Sequence, residues 1–156
     1  MFMNENNGRA EEAMNFYIHV FKQSEQGYKF YYPKGLEPNS ISHLAYATFK
    51  LEDQWFTCMD SAYKYDFQFN EGISLLITAE DQAEIDAYWD KLSAVPEAEQ
   101  CGWVKDKFGL SWQIAPKQMD EMISKGTPEQ IKRVTEALLK MKKFDIATLE
   151  QAFHNE

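Results

Sequence analysis

Apolar residues recur at helical spacing near the start of the chain. Ala10, Ala13, Met14, Tyr17, Ile18 and Phe21 fall on one face of residues 7–22, with Glu11 and Glu12 in the first turn, and this pattern predicts an amphipathic helix. Past Gly27 the period shortens to that of strands. Tyr28 to Tyr32 reads as one, stopped by Pro33 and Gly35. Ile41 to Leu51 and Trp55 to Met59 read as two more, joined through residues 52–54. In the first of these, His43, Ala45, Ala47 and Phe49 share one face, and Ser42, Leu44, Tyr46 and Thr48 share the other. That mixture predicts a strand covered on both sides. Residues 62–66 read as a loop, and the run Ile73 to Ile77 predicts a buried strand. Thr78 with Asp81 reads as a capping box for a second helix, whose stripe is Ile85, Tyr88, Trp89 and Leu92. Residues 96–100 form a polar connection. A turn at 106–109 between two aromatic and β-branched runs then predicts a hairpin. Its second strand puts Ser111 and Gln113 on one face, and Trp112 and Ile114 on the other.

The same order therefore occurs twice, a strand, a helix and about three strands, over residues 1–65 and again over 66–116. Residues 117–156 depart from it and read as a helical extension of one domain. Met119, Met122 and Ile123 predict a short helix ending at Gly126. Thr127-Pro-Glu-Gln130 is a strong helix start, followed by the stripe Ile131, Val134, Leu138 and Met141. Asp145 opens a last helix carrying Ile146, Leu149 and Phe153. These stripes need an apolar surface to bury against, on the sheet or on a second subunit.

Composition narrows the function classes. With 156 residues and 44% hydrophobic content, one ordered domain is expected. The aromatic share of 15% suits a large core or an apolar ligand cavity. A net charge of -9 argues against a nucleic-acid partner, because no basic stripe is present to displace counterions. Lys140, Lys142 and Lys143 sit where cations complement a helix end. No apolar run reaches the ~20 residues that span a bilayer, and residues 4–12 are too polar for a signal peptide, so a cytoplasmic protein without membrane contact is expected. Cys58 and Cys101 lie far apart and read as free thiols.

Few residues carry an obvious chemistry. His43, with small Ala45 and Ala47 beside it, reads either as a pocket base or as a histidine bonded to a loop. Cys58 and Asp60 share a strand face and could pair as nucleophile and base, yet have no histidine near them in sequence. Trp55, Trp103 and Trp112 are either an aromatic lining or core. Gln113, opposite an aromatic face, points to a polar cavity wall or a satisfied core amide. The seven glycines are too widely spaced for a nucleotide-cofactor loop, which excludes a P-loop and a Rossmann site.

The segment Gly8-Arg-Ala-Glu-Glu-Ala-Met-Asn-Phe-Tyr17, with Ile73 to Ile77, Tyr88-Trp89, Cys101-Gly-Trp103, Lys105-Asp-Lys-Phe-Gly109 and Ser111-Trp-Gln-Ile114, resembles the PhnB-like group of the glyoxalase/bleomycin-resistance/dioxygenase (vicinal oxygen chelate) superfamily. Some members of that group carry the label demethylubiquinone methyltransferase, which the glycine spacing here does not support. The resemblance implies an α+β fold of paired βαβββ modules. These form a curved, eight-stranded mixed sheet around a cavity, commonly in a homodimer. Relatives have a longer first strand than Met1-Phe-Met3. Metal enzymes of the superfamily place His, Glu or Gln on the first and last strand of each module. Here those positions hold Met1 to Met3, then Cys58 or Asp60, then Gly72 to Ser74, and finally Gln113. That set is a poor one for a divalent ion, so no metal or other cofactor is expected. The resemblance thus implies a small molecule bound among His43, Trp55, Cys58, Asp60, Ser111, Trp112 and Gln113. Two alternatives stay open. One is a metal-dependent lyase, isomerase or dioxygenase using His43, Cys58 and Gln113; the other is a dimeric interaction protein built on the helical tail, with a vestigial pocket.

Overall fold

The computed structural model describes residues 1–155, which form two compact units that meet between Gln68 and Phe69 in sequence. The class is α+β, with two three-stranded sheets and three helices closing the chain. In the first unit, helix α1 (Ala10–Val20) is followed by the antiparallel meander β1 (Ser24–Tyr31), β2 (Leu44–Leu51) and β3 (Gln54–Cys58). Ala10, Ala13, Met14 and Tyr17 are buried as their spacing predicts. They pack with Leu44, Ala47, Phe49, Leu51 and Cys58, and Phe49 stacks between Tyr17 at 6.4 Å and Phe56 at 5.6 Å.

β2 does not have two covered faces. Its mixed pattern comes from a bulge: Phe30 pairs Tyr46 while Tyr31 pairs Leu44, so one extra β2 residue lets Leu44 and Ala47 both face α1. A second bulge places Gly27 and Tyr28 opposite Thr48 alone. His43 lies just before β2, in the turn that precedes it. Ahead of α1, Phe2 makes one parallel bridge to Asp60, with Phe2 N–H donating to Met59 O at 2.7 Å and Ser61 N–H to Phe2 O at 2.8 Å.

In the second unit, β4 (Leu75–Ala79) leads into α2 (Gln82–Leu92), then β5 (Trp103–Lys105) and β6 (Ser111–Pro116). The sheet order is β4-β6-β5, with β4 parallel to β6 and β5 antiparallel to it. Ile85, Tyr88, Trp89 and Leu92 of α2 are buried together with Ile77, Val104, Trp112 and Ile114. Four expectations change here. Asp81 is the N-cap, accepting from Glu84 N–H at 2.8 Å, because Thr78 is still in β4 opposite Ala115. Only two strands follow α2, since Pro96, which lacks an N–H, opens a 3₁₀ turn over Pro96–Ala98. Six strands rather than eight are therefore present among the described residues. Finally, Ile73 and Leu76 are 78% and 64% exposed: Ile73 precedes the strand, and Leu76 faces away from α2 on an edge strand.

The extension consists of α3 (Gln118–Lys125), α4 (Pro128–Leu138) and α5 (Ile146–His154). Thr127 and Gln130 form the expected capping box, and Asp145 caps α5 by accepting from Thr148 N–H at 2.7 Å. Met122, Val134, Phe144 and Leu149 make their buried cluster, with Cys101 and Ala115 packed against it. The extension's apolar stripes are buried in part within this unit, and Ile123 stays 43% exposed.

Candidate functional site

Each sheet buries one face against its helix and leaves the other open, and this separates the candidate residues. Cys58 and Asp60 lie on the helix side of the first unit. Asp60 is 1% exposed, and its Oδ1 accepts from Gly8 N–H (2.9 Å) and Ala10 N–H (3.0 Å) while Oδ2 accepts from Leu44 N–H (2.9 Å). Arg9, at the N-cap of α1, offers no capping side chain, so a carboxylate fifty residues away in sequence caps that helix. An acceptor committed to three backbone donors is poorly placed to take a substrate proton. Cys58 donates to Ala10 O at 3.7 Å; burial, reinforced by the Asp60 charge, pushes its pKa up to about 12, so the thiol stays protonated.

His43 Nδ1 accepts from Ser40 N–H at 3.1 Å, so its neutral ring carries the proton on Nε2. The Asn7 carboxamide lies 3.5 Å from Nε2, and its buried Oδ1, without another partner, becomes the acceptor once the amide turns over. Gly8, left-handed at φ 82°, lies beside the imidazole. His43 is held by its own turn and by the segment leading into α1.

Trp55 belongs to the opposite, open face. Strand register puts Lys50, Trp55, Thr48, Thr57, Phe30 and Tyr46 together there, with Tyr28 at the bulge. Tyr28, Phe30, Tyr46 and Trp55 are 65%, 46%, 40% and 49% exposed. The Trp55 ring reaches across β2 toward β1, so that a Cβ on Gly27 would lie 3.0 Å from it. Glycine inside a strand marks a close approach of this kind. The Thr48 hydroxyl holds the bulge by accepting from Tyr28 N–H at 3.0 Å. Sequence reasoning singled out Trp55 alone; the aromatic neighbours emerge once the two bulges are placed.

In the second unit, Ser111 and Gln113 occupy the open face, and Trp112 turns toward α2, donating from Nε1 to Asp106 Oδ2 at 2.8 Å. Gln113 sits in one row with Leu76 and Trp103, and its amide donates to Ser74 Oγ at 2.8 Å. Lys105, paired with Glu71, neighbours Ser111, whose buried Oγ has no partner in the structure. This face is polar at its centre and apolar at Leu76.

The ligand positions singled out from sequence are taken up in other contacts in this structure. No group of three or more His, Cys, Asp or Glu that could hold one occurs among the described residues. His43 Nδ1 and Asp60 are already engaged, and Cys58 favours the thiol over the metal-binding thiolate.

Residues 1–115 match the 3-demethylubiquinone-9 3-methyltransferase family. The chain belongs to that family, in its PhnB-like form. The PhnB protein from Bacillus cereus is 36% identical over 74% of this chain and 95% of its own, with a TM-score of 0.62. A Pseudomonas aeruginosa protein of known structure shares the fold at 20% identity, over 70% of this chain and 90% of its own, with a TM-score of 0.51. A search of curated proteins found no match. Among the described residues, no helix of this PhnB-like chain is long and apolar enough to cross a membrane.

Proposed function

We propose that this PhnB-like protein is a glyoxalase-superfamily member that binds a small, partly aromatic molecule on its open sheet surface without a catalytic metal. The observation that carries the reading is the open face of β1–β3: four exposed aromatic rings around the Thr48 and Thr57 positions, where strand Gly27 leaves room for the Thr48 hydroxyl and the Trp55 ring. Such a surface stacks a planar ring and offers hydroxyls at its centre. A cytoplasmic homodimer accords with the resemblance and completes the proposal.

Methyl transfer, named in the family's description, has little support in this chain. A nucleotide cofactor needs a glycine-rich turn between a strand and a helix, so that backbone N–H groups reach the ligand. The two direct strand-to-helix turns here are Glu80-Asp81 and Lys117, neither with a glycine.

A thermal-shift screen of small aromatic compounds tests the proposal. Compounds that raise the melting temperature of the wild type but not of Trp55→Ala support it. Hits indifferent to Trp55, or hits that need added zinc, nickel or iron, overturn it.

A further inference from the structure

The segment beyond the family's matched residues is fastened to the hairpin by its backbone. Residues 138–142, running from the end of α4 into its link to α5, turn four carbonyls toward three residues. Leu138 O accepts from Cys101 Sγ at 3.4 Å and Leu139 O from Gln100 Nε2 at 3.2 Å. Met141 O accepts from Cys101 N–H at 3.0 Å, and Lys142 O from Gly102 N–H at 2.7 Å. The receiving turn is left-handed at Cys101 (φ 48°) and Gly102 (φ 79°), which brings successive N–H groups to bear on the strap. Phe144 closes over it: a Cβ on Gly102 would stand 2.5 Å from the Phe144 ring. On the other side, Gln82 binds the strap as a peptide group would, with Nε2 donating to Phe144 O at 3.1 Å and Oε1 accepting from Ile146 N–H at 2.9 Å. Lys142–Glu99 and Lys143–Asp86 ion pairs flank it.

We infer that residues 138–146 are a strap that locks the turn opening the β5–β6 hairpin, and thereby sets the order of the open face bearing Trp103 and Gln113. The link is short. Gly102, held by Lys142 O, gives its own carbonyl to Ile114 N–H at 2.8 Å, next to Gln113, and Trp103 follows Gly102 directly. Docking of a segment outside the family match therefore acts on a surface inside it.

The test is residue-resolved amide hydrogen exchange on the full chain carrying Phe144→Ala, with Gln82→Ala as a second variant that leaves the buried cluster intact. The expected result is exchange about tenfold faster or more at Gly102 and Ile114, together with residues 146–154, while the Leu44 and Asp60 amides of the first unit keep their rates. If Phe144→Ala unfolds the chain, Gln82→Ala decides with the same amides. Protection at Gly102 and Ile114 that persists while residues 146–154 exchange freely overturns the inference. So does a segment 146–154 that stays protected in both variants.

Discussion

Two buried carboxylates, Asp60 just past β3 in the first unit and Asp106 in the β5–β6 turn of the second, differ in how far they reach. Both are 1% exposed and both accept three hydrogen bonds. Asp106 collects Phe108 N–H, Leu110 N–H and the Trp112 indole, all within six residues, and so shapes one hairpin turn. Asp60 collects Gly8, Ala10 and Leu44, and so ties the end of β3 to the start of α1 and the start of β2. A residue that looks like a catalytic base from its strand position is the knot of the first unit. The same chemical arrangement organises a turn when its donors are local and a whole unit when they are not.

The largest effect expected is on that contrast. Asp60→Ala leaves the Gly8, Ala10 and Leu44 N–H groups unanswered at the starts of α1 and β2 and should cost about 3–5 kcal/mol, read from urea unfolding. Asp106→Ala disturbs one turn and should cost about 2–3 kcal/mol. An Asp106 variant as damaged as the Asp60 one would end the comparison. Two glycines sharpen it next. Gly102 (φ 79°) and Gly109 (φ 83°) share a left-handed backbone, but only Gly102 has a neighbour in the way. Gly102→Ala should cost about 2–4 kcal/mol and Gly109→Ala about 1 kcal/mol. Cys58, beside Asp60, gives a smaller effect that depends on pH. Its thiol is held protonated in the folded chain up to about 12 but ionises near 9 when unfolded. Above pH 9 the unfolded chain binds fewer protons than the folded one, so stability falls as pH rises through that window. Cys58→Ala should flatten the alkaline limb of the stability profile; an unchanged limb contradicts the assignment. The smallest effect belongs to the exposed Lys125–Glu121 pair, at 2.7 Å. Lys125→Ala should shift stability by about 0.5 kcal/mol or less.

Legibility in the sequence follows the same division between local and distant partners. The stripe of α1, the Thr127 capping box and the 106–109 turn are written in neighbouring residues, and each is present. The placement of Ser111 and Gln113 opposite Trp112 follows from strand alternation alone. Asp60 could not be read this way, because its donors lie 50, 52 and 16 residues away. Nor could the aromatic face of β1–β3, because two bulges shift the alternation by a residue each, bringing Leu44 inward and leaving Phe30 and Tyr46 outward. The run Ile73 to Ile77 looked like a buried strand, but the strand begins at Leu75 and the edge position of β4 leaves one side of it in solvent.

The proposal stands on an organic ligand resting against the first sheet without a metal ion to grip it. A crystal structure of full-length protein prepared without chelator, in complex with a compound from the thermal-shift screen, tests that most directly. The account predicts density for the compound against Trp55, Tyr46 and Thr48, with no ion coordinated by side chains. An ion held by several side chains, or a compound bound away from this face, would contradict it.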